Sequence, residues 1–249
     1  MSEETFEKLR NYDTPTVCNA IELFDVRPRN QGFMSGEIRA QFPDLPPIVG
    51  YATTATFRSA HALEGGEVYS SLADQVATFE RELPRPRIVV FQDLDETACG
   101  ATFGEVMCTT YQTFGCVGLI TSGGARDLDQ VHEKSFACFA SSAIASHAYC
   151  RIVDVHVPVT VGGVLIRPGD VLHADCNGVT TIPRDLVAEV ALACGKLAEA
   201  ESMVLGYLEA NPSPEGLGSA HLEMKARFGQ IADEVRRELE GTPVSKPQN

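Results

Sequence analysis

The sequence lacks the clustered basic residues that a nucleic-acid partner requires. Lysine and arginine number 20 against 34 aspartates and glutamates, which leaves a formal net charge of −14. Binding to nucleic acid needs basic side chains grouped so that they displace counterions from the phosphates. The densest basic group, residues 81–87, is interrupted by prolines. We therefore expect no nucleic-acid partner.

Segments that direct a chain to a membrane or to export are also missing. The first ten residues, MSEETFEKLR, contain no basic region followed by an apolar stretch, so no signal peptide is expected. No apolar run approaches the length of a membrane span. The eight cysteines form no CxxC pair, which favours buried free thiols over a disulfide framework or a zinc ribbon. These absences predict a cytoplasmic protein without a membrane partner.

The common cofactor and catalytic motifs are absent as well. The chain has no GxGxxG, no GxxxxGK(S/T), no HExxH and no GxSxG. Dinucleotide binding, P-loop chemistry, zincin chemistry and nucleophile-elbow hydrolysis therefore have no support in the sequence. The six histidines show no i, i+4 pairing, so their spacing does not predict a histidine-rich metal site.

The order of the predicted elements indicates a mixed α/β domain. Apolar or β-branched runs predict strands at residues 48–57, 87–91, 117–121, 136–140, 151–159, 164–166, 171–174 and 179–182. Helical patterns precede, separate and follow them, at residues 16–24, 68–83, from 104, from 183 past 205, and 220–239. We predict one domain over residues 1–210, a helical extension over 211–240 and a disordered tail over 241–249.

One group of residues with chemical potential follows a buried strand. Strand 117–121 is followed by the turn Ser-Gly-Gly-Ala, and Arg126 and Asp127 come directly after this turn. In open α/β folds, ligands bind beyond the carboxyl ends of such strands. Arg126 offers a planar fork for a carboxylate, and Asp127 is a hard oxygen donor suited to Mg²⁺ or Mn²⁺. The alternative is a helix cap and a surface ion pair, and an Arg-Asp pair after a strand more often has this structural role than a catalytic one.

This turn belongs to an ordered set of segments that resembles the RraA-like family. The set runs from GCVGLITSGGARDLDQV through FACFA to VHVPVTVGGVLIRPGDVLHADCNGVTTIP, and the similar region covers about residues 48–190. The family contains 4-hydroxy-4-methyl-2-oxoglutarate aldolases that also decarboxylate oxaloacetate. It also contains the ribonuclease E regulator RraA and members once labelled demethylmenaquinone methyltransferase.

The resemblance implies a three-layer β/β/α swivelling-domain fold with flanking N- and C-terminal helices. The residues that match the family's pyruvate-binding loop are Gly104, Glu105, Val106 and Met107. Arg126 matches the arginine that binds the substrate carboxylate, and Asp127 matches the aspartate that holds a divalent metal, Mg²⁺ or Mn²⁺. The family also implies a homo-oligomer, a trimer or a dimer of trimers, with a 2-oxo acid as the small-molecule substrate.

The sequence departs from the family at two places. The acidic residue that the enzymes carry shortly after Arg-Asp is Gln130 here, although Asp129 is adjacent. The PGDN-type segment after the first strand is replaced by RSAHALEGGE, residues 58–67. Lyase chemistry remains the prediction, and the identity of the substrate stays open.

Two classes of function are compatible with this resemblance. The first is a metal-dependent aldolase or decarboxylase that releases pyruvate, with catalytic residues Arg126, Asp127 and Glu105. The alternative is a non-catalytic regulatory or binding protein such as RraA, which lacks the aspartate at the position of Asp127. A methyltransferase is not expected, because no glycine-rich loop for S-adenosylmethionine is present.

Several of these residues keep an alternative interpretation. Glu105 could order water or act as a general base, or it could be an acid favourably placed in the first turn of a helix. His61 and His156 could line a pocket or simply make hydrogen bonds. Arg58 could bind a second substrate carboxylate or be a surface charge at the end of a strand.

Overall fold

The computed structural model describes residues 2–62, 68–210 and 212–240, and the side chains of residues 68–71 are not described. The chain divides into two compact units, Met1–Arg29 with Asp185–Asn249, and Asn30–Arg184. The predicted tail at 241–249 and part of the divergent segment, residues 63–67, lie outside the described residues. The predicted division of the chain near residue 210 stays a prediction.

Helices lie at both ends of the chain, and strands predominate between them. The helices are α1 (Glu3–Arg10), α2 (Thr14–Glu22), α3 (Val68–Glu82), α4 (Glu105–Thr113), α5 (Leu128–Glu133), α6 (Val187–Glu209) and α7 (Pro214–Glu240). The first strands are β1 (Arg39–Ala40), β2 (Ile48–Arg58), β3 (Arg87–Asp93), β4 (Ala101–Phe103), β5 (Cys116–Thr121) and β6 (Gly124–Ala125). The remaining strands are β7 (Ala137–Ala140), β8 (Ser142–Ala143), β9 (Arg151–Val155), β10 (Val159–Val161), β11 (Val164–Ile166), β12 (Val171–Asp175) and β13 (Gly178–Ile182).

The larger unit is organised around a sheet with the strand order β1-β7-β5-β3-β2-β12-β13. Strands β2, β3, β5 and β7 run parallel, as strands joined by crossover helices do, and α3, α4 and α5 make those crossovers. Along one edge of β2, its first residues pair antiparallel with β12 and its last residues pair antiparallel with β9. The parallel strands therefore all point their carboxyl ends towards the same edge of the sheet.

The two faces of this sheet are covered by different layers. On one face, Val89 and Phe91 of β3 pack in a cluster with Phe79 of α3 and Tyr111 of α4. On the other face, alternate residues of β3 pack in a second cluster with residues of the β10–β11 hairpin. Side chains of a strand point alternately to opposite faces, which is why one strand serves both clusters. The layers are β, β and α, so the predicted fold class is confirmed.

The smaller unit consists of the helices at the two ends of the chain. Asp13 caps α2, because its Oδ1 accepts a hydrogen bond from the Thr16 amide at 2.8 Å. Helix α7 begins at Pro214 and not near residue 220, since proline is favoured in the first turn of a helix. Across the described part of the chain, no helix is long and apolar enough to cross a membrane.

Three details differ from the sequence-based expectations. The strand predicted at 151–159 is two strands, β9 and β10, because His156 takes a left-handed conformation with φ +58° just before Pro158. Helix α5 and the strands β4, β6 and β8 were not predicted, since they are six residues long or shorter. The eight cysteines are free, but only four of them are buried: Cys108, Cys116, Cys138 and Cys194.

Candidate active site

A small parallel sheet, β4-β6-β8, brings together the two segments that the sequence singled out. Strand β4 leads into Gly104 and α4, and β6 leads into Arg126 and Asp127. The pairing of β4 with β6 places the ends of both segments side by side. A Cβ at Gly123, in the turn before β6, would overlap with the Thr102 Oγ1. The glycine turn is therefore required by the close approach of β4.

Asp127 connects the two segments through a direct hydrogen bond. Its Oδ2 accepts from the backbone amide of Glu105 at 3.0 Å, across 22 residues of sequence. Gly104 has no side chain with which to cap α4, so the carboxylate of Asp127 does so. Asp127 itself holds a left-handed conformation, with φ +54°, at the start of α5. A Cβ at Gly104 would stand only 2.5 Å from this Oδ2.

Arg126 keeps most of its hydrogen-bonding capacity. Its Nε lies 3.8 Å from the Asp127 Oδ2, and its side chain is 34% exposed. Among the described residues, Asp127 is its one ion-pair partner. A guanidinium presents five N–H donors in a planar fork, so its terminal nitrogens remain available to a planar anion such as a carboxylate.

These groups line a cavity of about 160 Å³. Its lining residues are Ala101, Thr102, Phe103, Gly104, Val106, Met107, Arg126, Asp127, His147 and Cys150. Pockets for drug-sized ligands run to roughly 300–1,000 Å³, so this cavity suits a compound of a few carbon atoms. Most of the sequence-predicted site residues are thereby brought to one place.

Glu105 is the exception among them. Its side chain does not line the cavity, and its Oε1 lies 3.3 Å from the Nζ of Lys134. What Glu105 contributes to the site is its amide, which donates to Asp127. Its role as a base stays a prediction.

The first turn of α4 adds further donors to the cavity wall. The backbone of Cys108 bonds back to the Gly104 carbonyl, as in an ordinary first helical turn. In the described structure, the amides of Val106 and Met107 have no backbone acceptor, and both residues line the cavity. Free amides and the helix dipole make such an N-terminus attractive to anions. Together with Arg126, these amides supply the kind of donors that a carboxylate requires.

The fit of a divalent metal rests on Asp127. It supplies the carboxylate in the cavity lining, and among the described residues only its Oδ2 accepts a hydrogen bond. No group of three or more histidine, cysteine or acidic residues able to hold a metal occurs in the described part of the chain. Mg²⁺ commonly keeps several waters and binds through one or two carboxylates together with the substrate. The donor set therefore fits a largely hydrated Mg²⁺ or Mn²⁺ and does not fit a metal held by protein ligands alone.

Asp93, at the end of β3, is a polar group that the sequence reasoning missed. Its Oδ1 accepts from the Asp95 amide at 3.0 Å, while its buried Oδ2 has no partner among the described residues. Burial raises the pKa of this carboxyl group above its usual range. The signal that could have found Asp93 is its position, because it ends a parallel strand at the same edge as the glycine turn.

Other candidate residues lie away from the cavity lining. The Arg58 Nη1 lies 4.0 Å from the Asp95 Oδ1. The carbonyl of His61 accepts from Arg151, and the buried Nδ1 of His156 has no partner in the described structure. Conversely, His147 and Cys150 do line the cavity, although no local motif marks them.

The fold and the site define an α/β protein with a small cavity lined by Arg126, Asp127 and the first turn of α4. The RraA-like family model, described as Aldolase/RraA, matches residues 14–181, which is more than half of the chain. The chain therefore belongs to the RraA-like family, as the sequence predicted.

Relatives with curated names match parts of the chain. Protein DlpA of Legionella pneumophila is 25% identical over 193 residues, which are 74% of this chain and 28% of that protein. A protein of Halalkalibacterium halodurans named "Putative 4-hydroxy-4-methyl-2-oxoglutarate aldolase" is 32% identical over 100 residues, 40% of this chain and 48% of its own. One of the same name from Ectopseudomonas mendocina is 32% identical over 109 residues, 42% of this chain and 65% of its own. The chain thus spans less than two thirds of each of these relatives.

Solved structures agree on the fold. A protein from Pseudomonas syringae pv. tomato, described as uncharacterized, superposes with a TM-score of 0.69 at 20% identity, covering 89% of this chain and 94% of its own. Streptomyces coelicolor RraAS2, described as an unusual member of the RNase ES inhibitor RraA protein family, gives 0.65 at 20% identity, covering 81% and 96%. At these identities the similarity establishes the fold alone.

Proposed function

We propose that this protein is a divalent-metal-dependent carbon–carbon lyase that cleaves a 2-oxo mono- or dicarboxylic acid and releases pyruvate. The proposed reactions are an aldol cleavage of the 4-hydroxy-4-methyl-2-oxoglutarate type and the decarboxylation of oxaloacetate. The observation that carries the proposal is the junction of Arg126 and Asp127 with the first turn of α4 at one small cavity. The aldolase names of the relatives support it.

Substrate binding would depend on local donors. With a net charge of −14, the protein as a whole repels an anionic substrate. Arg126 would bind the substrate carboxylate through two parallel N–H···O bonds, and the amides of Val106 and Met107 would bind it from the helix side. This arrangement fixes the orientation of the 2-oxo group relative to the cavity wall.

The same donors would stabilise the charge that develops during cleavage. When the bond to C3 breaks, its electron pair moves towards the 2-oxo oxygen and an enolate of pyruvate forms. Donors held in place before the reaction stabilise such charge without reorganising. Aldol cleavage and oxaloacetate decarboxylation pass through the same enolate, so one site serves both reactions.

Asp127 would hold the metal, Mg²⁺ or Mn²⁺, with waters completing the coordination. When bound, the ion supplies Lewis-acid stabilisation of negative charge on the substrate oxygens. The amide of Glu105 fixes the orientation of the Asp127 carboxylate by donating to its Oδ2. A fixed carboxylate offers its other oxygen in a constant direction.

We further propose that the protein acts in the cytoplasm as a homo-oligomer, a trimer or a dimer of trimers, as the family resemblance implies. Light scattering coupled to gel filtration measures the mass of the assembly directly. A monomer of 26.9 kDa would contradict this part of the proposal.

The function is tested by incubating the protein with a panel of 2-oxo acids and Mg²⁺ while pyruvate release is coupled to NADH consumption. We expect turnover of oxaloacetate and of 4-hydroxy-4-methyl-2-oxoglutarate, abolished by EDTA and restored by Mg²⁺ or Mn²⁺. Full activity in chelator would refute the metal-dependent mechanism. Lack of turnover of every acid in the panel would favour the alternative, a non-catalytic regulatory protein.

A further inference from the structure

His147 lies in the loop after β8 and lines the cavity together with Arg126 and Asp127. No sequence motif marks this residue. Its proposed role is proton transfer in the aldol cleavage, and that role therefore rests on the proposed function.

The loop that carries His147 is held beside β4 by a backbone hydrogen bond and is closed by a hydrogen bond of its own. The amide of Ala101 donates to the Ser146 carbonyl at 2.8 Å, and the amide of Ala148 donates to the Ser146 Oγ at 3.0 Å. A Cβ at Gly100 would lie 2.7 Å from the His147 carbonyl oxygen, so the backbone there approaches as closely as a glycine allows. His147 is exposed, but its backbone has a defined position beside the strand that leads into the cavity.

One hydrogen bond determines which ring nitrogen of His147 is free to accept a proton. The Nδ1 of His147 lies 2.7 Å from the carbonyl oxygen of Ala148. A carbonyl oxygen only accepts, so Nδ1 carries the hydrogen and donates it. In the neutral ring, Nε2 then holds a lone pair and can take a proton. The local backbone thus selects the tautomer with a basic Nε2.

The other ionisable groups around the cavity are less suited to proton transfer. The guanidinium of Arg126 has no acceptor atom and so cannot take a proton, and Asp127 is the carboxylate proposed to hold the metal. Burial raises the pKa of the Cys150 thiol, which keeps that thiol protonated at neutral pH. The carboxylate of Glu105 pairs with Lys134 and does not line the cavity.

We propose that Nε2 of His147 is the general base and acid of the aldol cleavage. Nε2 takes the proton of the C4 hydroxyl group, the C3–C4 bond breaks, and C4 becomes the carbonyl carbon of the first product. The electron pair of the broken bond forms the pyruvate enolate. The imidazolium then returns the proton to C3, which gives pyruvate and neutral His147.

Decarboxylation of oxaloacetate has no hydroxyl proton to remove. Carbon dioxide leaves directly, and the enolate takes a proton that water can also supply. Loss of Nε2 therefore affects the two reactions unequally, and the ratio of their rates reports on the proton transfer from the hydroxyl group.

Two variants test this role. In His147→Asn, the side-chain amide can still donate to the Ala148 carbonyl, but Nε2 is gone. In His147→Ala, the removed ring leaves space that free imidazole can fill. For both variants we expect kcat of the aldol cleavage to fall roughly a hundredfold or more, which is the usual contribution of general acid–base catalysis. We expect a much smaller loss for decarboxylation, and partial rescue of His147→Ala aldolase activity by added imidazole.

His221→Asn is the matched control, because the Nδ1 of His221 also contacts a backbone carbonyl, that of Leu217, on helix α7. It should leave both activities and their ratio unchanged. An unchanged ratio in His147→Asn overturns the inference and leaves the proposed function standing. A similar change of ratio in Glu105→Gln, with His147→Asn unaffected, assigns the base to Glu105. Absence of both activities in the wild type overturns the proposed function and this inference with it.

Discussion

Gly104→Ala tests the geometry of the site with a single methyl group. The added Cβ would lie 2.5 Å from the Asp127 Oδ2 and 3.0 Å from the Arg126 Nε. The first distance is about 0.9 Å short of the 3.4 Å at which ordinary van der Waals contact begins. The backbone at Gly104 is extended, with φ −154° and ψ −169°, so alanine adopts it without strain. The substitution therefore acts by displacing Asp127 and Arg126.

The expected signature is a large loss of activity with a small loss of stability. A displacement near 1 Å of positioning groups can cost about a hundredfold in rate, so kcat/KM for oxaloacetate should fall by roughly that factor. Disturbing the bond from the Glu105 amide to Asp127 should cost about 1–2 kcal/mol of stability, partly offset by the lower chain entropy of alanine in the unfolded state. Coupled pyruvate assays and thermal unfolding measure the two effects.

Gly36→Ala is the control for that variant, because a Cβ at Gly36 would meet no atom within 4 Å. It should have wild-type kinetics. Wild-type kcat/KM in Gly104→Ala would refute the assigned site geometry. It would mean that catalysis does not depend on the positions of the Arg126 and Asp127 side chains.

Three further variants or measurements check other parts of the account. Arg126→Lys keeps the charge but loses the bidentate fork, so kcat/KM should fall about 30- to 1,000-fold. Oxalate should also inhibit this variant much more weakly than the wild type. Unchanged inhibition by oxalate would mean that the substrate carboxylate binds elsewhere. Asp93→Asn removes a carboxyl group whose pKa is raised by burial. Its charge destabilises the fold above the folded pKa, so the variant should be about 1 kcal/mol more stable in urea at pH 7. That gain should shrink as the pH falls towards 4, and a gain that grew on acidification would contradict the sign. Burial raises the pKa of the Cys116 and Cys194 thiols to about 12, so iodoacetamide at pH 8 should label exposed Cys99 and spare both, as mass spectrometry would show.

The sequence predicts those parts of the fold that consist of long apolar runs. Strands β2, β3 and β5 carry continuous buried stretches, so their residue types alone mark them as interior strands. Strands β4, β6 and β8 have two or three residues each, and such short segments have no periodicity to recognise. Their pairing is a consequence of the tertiary fold.

The candidate site likewise has local features that the sequence shows and tertiary contacts that it does not. The glycine turn and the Arg-Asp pair are local features that were enough to select Arg126 and Asp127, and the family resemblance selected Gly104. The hydrogen bond that joins them depends on the pairing of β4 with β6, which no local pattern shows. His147 reaches the cavity on a loop with no motif, so only the folded chain places it there.

The most direct test of the central claim compares the wild type with Asp127→Asn in the pyruvate-release assay with Mg²⁺. Asparagine keeps the shape of the side chain and can still accept the Glu105 amide, but it lacks the charge that would hold the ion. We expect pyruvate release to fall at least about a hundredfold while thermal unfolding changes little. Near-normal turnover by Asp127→Asn would contradict the assignment of this cavity as a metal-dependent lyase site.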